Sequence, residues 1–113
     1  MTEARHESLL WAAQRASAAV LALGMAGHLA GMIYAVRGGL TAAEILSRTQ
    51  GNGLLALAYG TFVVAIAVHA PIGLRTILIE WTGRRGPAVN WATAIVALGL
   101  LALGLRAVWA VTA

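Results

Sequence analysis

Three apolar runs, at about residues 9–36, 54–79 and 91–111, are each long enough to cross a bilayer, and only short polar breaks separate them. A membrane-crossing helix needs roughly 20 apolar residues. Inside the hydrocarbon every backbone N–H and C=O must be satisfied within its own segment, which a helix achieves and an irregular chain does not. The expected fold is therefore all-α, with three transmembrane helices. Of the 113 residues, 60% are hydrophobic and 11% charged, and the mean hydropathy is +0.81. No water-soluble domain of this size needs that much apolar surface. Three crossings leave no room for a separate catalytic domain, so the chain is expected to be one part of a larger complex, its membrane bundle completed by a partner subunit.

The first run is longer than a bilayer needs, and its opening turns carry Gln14, Arg15 and Ser17. Those turns are expected at the membrane surface. The run is also too long for a signal-peptide core and reads as a retained helix. Arg37-Gly38-Gly39 ends it, as glycines past a helix terminus do. Thr41-Ala-Ala-Glu44 has the form of a capping box and predicts a short interfacial helix over about 42–48. Gly51-Asn52-Gly53 punctuates before the second span, and Asn90 is expected to cap the third. All 113 residues form a single membrane-anchor domain on this reading.

Cysteine is absent, which excludes disulfides, iron–sulfur ligation by this chain and a thiol nucleophile. The basic residues are all arginine and lie scattered at segment ends, so they form no nucleic-acid-binding patch. Arg5, Arg15, Arg75, Arg84 and Arg85 fall on the side of the N-terminus and second loop; Arg37, Arg48 and Arg106 fall on the other. The positive-inside rule then puts the N-terminus in the cytoplasm. Trp11, Trp81 and Trp91 mark the cytoplasmic interface and Tyr34 and Trp109 the outer one, while His6 and the acids near it are expected in a solvated terminus.

Within the second span stands His69-Ala-Pro-Ile-Gly73-Leu-Arg75. An ionisable side chain at membrane depth is costly and marks a functional site by default. Gly73 shares the histidine's helical face and clears space beside the imidazole. Arg75 lies about 9 Å further along the helix. A nitrogen ligand, a gap and a nearby cation suit a flat, anionic, iron-bearing ligand such as haem. The structural alternatives are a hydrogen-bonded packing histidine and an interfacial arginine that snorkels to the headgroups. Pro71 removes a backbone donor in mid-helix.

The pattern His69-x-x-x-Gly73-x-Arg75, with Glu80 eleven residues after the histidine, resembles the cytochrome b membrane-anchor subunit of succinate dehydrogenase and fumarate reductase. In that family the histidine is an axial ligand of a b-type haem; Glu80 stands where the family more often has aspartate, and Thr76 where it usually has a second histidine. A second segment, Trp11-Ala-Ala-Gln14-Arg15-Ala-Ser17-Ala18, is similar to the family's Ser-x-x-His-Arg-x-Ser-Gly. There the arginine and leading serine help form the quinone site. The resemblance thus implies Arg15, Ser17 and Trp11, which takes the leading serine's place, as quinone-site residues. It implies His69, Gly73 and Arg75 as haem-binding residues, with His69 the ligand to iron.

His28 lies among Gly24, Gly27 and Gly31, and Gly27-x-x-x-Gly31 is a helix-packing motif in its own right. Its depth, roughly 27 Å from the cytoplasmic start of the first span against roughly 15 Å for His69 from the end of the second, argues against one haem held by both. If His28 binds haem, that haem is a second one nearer the outer face, and Arg106 snorkels or meets its propionate. In the single-haem type of anchor the resemblance implies that His69 pairs with a ligand on another chain.

The function implied is a haem b-binding anchor in a bacterial inner membrane, passing electrons between an iron–sulfur subunit and ubiquinone or menaquinone. Its partners would be a second membrane-anchor subunit, an iron–sulfur subunit and a flavoprotein subunit, with the lipid bilayer around it. The flavin chemistry would lie elsewhere, so this subunit contributes to the quinone site only. The alternatives are an anchor for a related flavin/iron–sulfur dehydrogenase with another substrate, and a non-redox structural or assembly protein that uses its histidines in packing.

Overall fold

The computed structural model describes residues 2–113. The described residues form four helices, α1 (Glu3–Gly38), α2 (Ala42–Thr49), α3 (Gly53–Thr82) and α4 (Pro87–Thr112). Among the described residues there is no strand, and α1, α3 and α4 are each long and apolar enough to cross a membrane. The all-α reading with three spanning helices holds.

Each helix end has a local cause. Thr2 accepts a hydrogen bond from the Arg5 backbone N–H at 3.3 Å, so α1 begins well before its apolar run. It ends against Gly39, whose φ of 118° is open to glycine and few other residues. In α2 the Glu44 N–H donates to Thr41 Oγ1 at 3.2 Å, and the Thr41 N–H donates to Glu44 Oε2 at 3.0 Å, completing the capping box. Those Thr41 donors hold the Glu44 carboxyl below the usual carboxylate range. Asn52 caps α3 by accepting from the Leu55 N–H at 3.0 Å. The third span departs from expectation: α4 starts at Pro87, which has no N–H to leave unsatisfied at a helix N-terminus. Asn90 therefore sits inside the helix rather than capping it.

The central helix is α3, which packs against both α1 and α4. Glycine allows the closest approaches. A Cβ on Gly24 of α1 would run into the Phe62 ring, and one on Gly104 of α4 would run into Val63. Phe62 and Val63 are adjacent on α3, so both neighbours press on it at one level. Gly51 N–H donates to Thr112 O at 2.7 Å and ties the α2–α3 connection to the end of α4.

The face that α1 turns to α3 is Glu7, Leu10, Gln14, Ser17, Leu21 and Gly24, none of them exposed. These alternate steps of three and four along one helical stripe. Beyond Gly24, every residue from 25 to 34 is exposed, so the α1–α3 seam closes only over the first part of α1. Among the described residues few apolar side chains are buried: Ala65, Ala67, Ile72 and Pro71, all on α3. Leu23 at 78%, Leu54 at 77% and Trp81 at 84% exposure face outward. That much exposed apolar surface marks lipid or protein contact, not water.

Gly39 allows a direct test. Its left-handed backbone and the Glu44 carboxyl group, which a Cβ there would strike, predict that Gly39→Ala lowers stability by about 1–3 kcal/mol. Gly51, also at positive φ (73°) but with open space around it, should lose less on Gly51→Ala. Thermal unfolding in detergent, followed by circular dichroism, measures both; equal losses would show that the Glu44 contact contributes nothing.

Candidate functional site

Two stripes of α3 define the site. Ala67, Pro71 and Arg75 recur at every fourth residue and are buried. His69, Gly73, Thr76 and Glu80 occupy the neighbouring face at helical spacing. His69 and Gly73 are half-buried and Thr76 and Glu80 exposed. This stripe thus runs only partly covered along a mostly apolar helix.

On the α1 side, Ser17 is buried at 6% exposure. Its hydroxyl donates to the Gln14 carbonyl oxygen at 3.0 Å, and its Oγ lies 3.4 Å from His69 Nδ1. Gln14 Oε1 is buried with no hydrogen-bond partner among the described residues. The gap that Gly73 clears is bordered by the same residue, because a Cβ at Gly73 would lie 3.4 Å from Gln14 Nε2. The expected slot beside the histidine is therefore lined by an amide from α1.

Arg75 is 6% exposed and joins all three long helices. Its Nη2 donates to Glu7 Oε1 at 2.7 Å and its Nη1 to Glu7 Oε2 at 3.4 Å, both on α1. Its Nε donates to Asn90 Oδ1 on α4 at 2.9 Å. The forked guanidinium suits this paired recognition of a carboxylate. Arg85 stands 3.7 Å from the same Glu7 oxygen. Two sequence expectations are corrected here: Glu7 is not part of a solvated terminus, and the side chain of Asn90 binds arginine. Arg75, expected beside a haem propionate, already holds an anion from its own chain.

The residues expected at a quinone do not converge. Arg15 and Trp11 are exposed together, the guanidinium 5.1 Å from the centroid of the indole ring, whereas Ser17 points inward to His69. Trp11 instead shares a cleft of about 190 Å³ with Glu7, Gln14, Arg75 and Thr76. His28 stands apart. Its ring stacks on Phe62, with centroids 6.2 Å apart, and borders a groove of about 540 Å³ that includes Gly24, Gly27, Gly31 and Tyr59. Phe62 precedes His69 by about 10 Å of helix rise, so the two imidazoles lie at different levels. Arg106 is exposed on α4.

The family described as succinate dehydrogenase/fumarate reductase transmembrane subunit matches residues 1–107. The chain belongs to this family. No curated protein and no solved structure matches it. As a transmembrane subunit of the succinate dehydrogenase/fumarate reductase type, with three helices of spanning length, it is a multi-pass membrane protein and a member of a complex with other subunits.

Motif reading of this transmembrane subunit gave no site role to Glu7, Gln14 or Asn90. The spacing of Glu7, Leu10, Gln14 and Ser17 carries the signal for the first two, since it is the step pattern of an inward face. The Arg75 cluster yields a stability prediction. Glu7→Ala leaves a buried guanidinium without its counter-charge; with the carboxylate side chain 38% exposed, the cost should be about 2–3 kcal/mol, at or below the low end for broken buried pairs. Adding Arg75→Met should recover part of that loss in a detergent melt. A double variant less stable than Glu7→Ala alone would contradict this reading.

Proposed function

We propose that the chain is the haem b-binding membrane anchor of a succinate dehydrogenase-like complex, passing electrons between an iron–sulfur subunit and a quinone. One observation carries the reading: His69 stands half-buried on a spanning helix, with Nδ1 at a buried hydroxyl and, among the described residues, no hydrogen bond on Nε2.

The donor set fits this cofactor. Among the described residues no three His, Cys, Asp or Glu side chains gather to hold a bare ion. A haem brings four nitrogens of its own and asks a protein for few further donors. His69 would be one such donor, and the partner anchor subunit that covers this face would supply another. Gly73 keeps that face free of side chain beside the imidazole, and Arg75, with N–H donors beyond those given to Glu7 and Asn90, offers positive charge to a propionate. The buried, unpartnered Gln14 Oε1 belongs to the same wall. When bound, haem b supplies a one-electron carrier. His28 opens on a different groove and takes no part in this site.

For the quinone we propose the end of α1 where Arg15 and Trp11 stand exposed beside the cleft of Gln14 and Thr76. Arg15 can donate to a quinone oxygen, and the indole can stack on the ring; Ser17 supports this end from the interior. The arginine bias supports a cytoplasmic position for this end; in a bacterial inner membrane the iron–sulfur and flavoprotein subunits would dock there.

Two substitutions in the intact complex test these assignments. His69→Ala should abolish the b-type band of the reduced-minus-oxidised spectrum; a band of undiminished size would remove His69 from the ligand set, and a colourless wild-type complex would favour a non-redox anchor. Arg15→Ala should raise the apparent quinone KM by about tenfold or more, as expected for loss of a charged hydrogen bond, while reduction of a soluble dye survives. Unchanged quinone kinetics would exclude Arg15.

A further inference from the structure

Ser17 was expected at the quinone, but its surroundings point to a different task. The hydroxyl has one proton. It stands 3.0 Å from the Gln14 carbonyl oxygen and 3.4 Å from His69 Nδ1. The shorter contact is a normal hydrogen bond to an acceptor that carries no proton of its own, and the longer one lies at the outer edge of the range. The Ser17 proton therefore goes to the Gln14 carbonyl, as serines in helices commonly bond back to the preceding turn. That leaves the Ser17 Oγ lone pairs toward the imidazole, and the contact is attractive only when Nδ1 carries the proton and donates.

We infer that Ser17 is a positioning residue that fixes His69 as the Nδ1–H tautomer and so presents the Nε2 lone pair to iron on the uncovered face of α3. The inference rests on the haem reading above and deepens it. Which ring nitrogen binds metal is set by the hydrogen bond that the other one makes. An acceptor on Nδ1–H orients the ring and raises its basicity toward the metal. Burial of Ser17 at 6% exposure leaves little room for water to take over the role. The α1–α3 register supports the pairing: Ser17 meets His69 and Gly24 meets Phe62, an interval of seven residues on both helices.

The test is the midpoint potential of the b haem in the purified complex, measured by redox titration of its absorption band. Ser17→Ala removes the acceptor, makes His69 a weaker donor to iron and should shift the potential upward; a 10–100-fold loss in haem retention should accompany it. Ser17→Thr keeps the hydroxyl and should restore both. Should the alanine variant fail to load haem, Ser17→Cys replaces it, its weaker acceptor predicting a shift of the same sign. An unchanged potential in whichever variant loads would overturn the role of Ser17. His69→Ala, run alongside, separates the two levels. If it keeps the b band, the ligand assignment fails; if it is colourless while the Ser17 variants match wild type, only the positioning role fails.

Discussion

The buried guanidinium of Arg75 is the constraint on which the rest of this structure depends. A charge held away from water has to find its counter-charge and fill its donors. Here the partners come from both other spanning helices, Glu7 on α1 and Asn90 on α4. These contacts draw the three helices together at the end of the bundle where α1 begins. They also fix the register of α1 against α3, and that register delivers Ser17 to His69 and Gly24 to Phe62. In so apolar a chain, van der Waals packing alone specifies register weakly, because lipid is as good a neighbour as leucine. The polar cluster provides the specificity, and the close glycine contacts at Phe62 and Val63 fill in behind it.

The same economy explains why the chain looks unfinished. Among the described residues the buried apolar ones lie on α3, and two polar features are only partly covered. One is the stripe of His69, Gly73, Thr76 and Glu80. The other is the groove at His28, where α1 meets the Phe62 ring of α3 but every residue from 25 to 34 is exposed. In hydrocarbon neither imidazole is cheap to leave bare. A transmembrane subunit of this family works within a complex, and surfaces that would be liabilities on an isolated protein are the ones such a complex has to cover. Arg75, Glu7 and Asn90 hold the bundle together, while His69, backed by the buried Ser17 of α1, stands half-buried on α3.

Much of this was legible from residues alone. Hydropathic length gave the three spans, because the demand for internally satisfied backbone admits little else. Thr41 and Glu44 announced the cap of α2 through reciprocal spacing, and His69 stood out through the cost of its position. What escaped were pairings between distant segments. Nothing local at Glu7 says that it will meet Arg75, and Asn90 has the composition of a cap until Pro87 takes the start of the helix. For Ser17 the motif reads order along the chain and not direction around the helix; the inward step pattern of Glu7, Leu10, Gln14 and Ser17 is the signal that its side chain is interior.

The central claim is that one face of α3 forms half of a haem site that a partner subunit completes. The haem-to-chain ratio of the purified complex, from a pyridine haemochrome assay set against quantitative amino-acid analysis, tests it most directly. The account predicts one b-type haem for each copy of this chain, present in the assembled complex and lost when the chain is isolated from its partner anchor. A complex without haem, or a haem retained in full by the isolated chain, would contradict it.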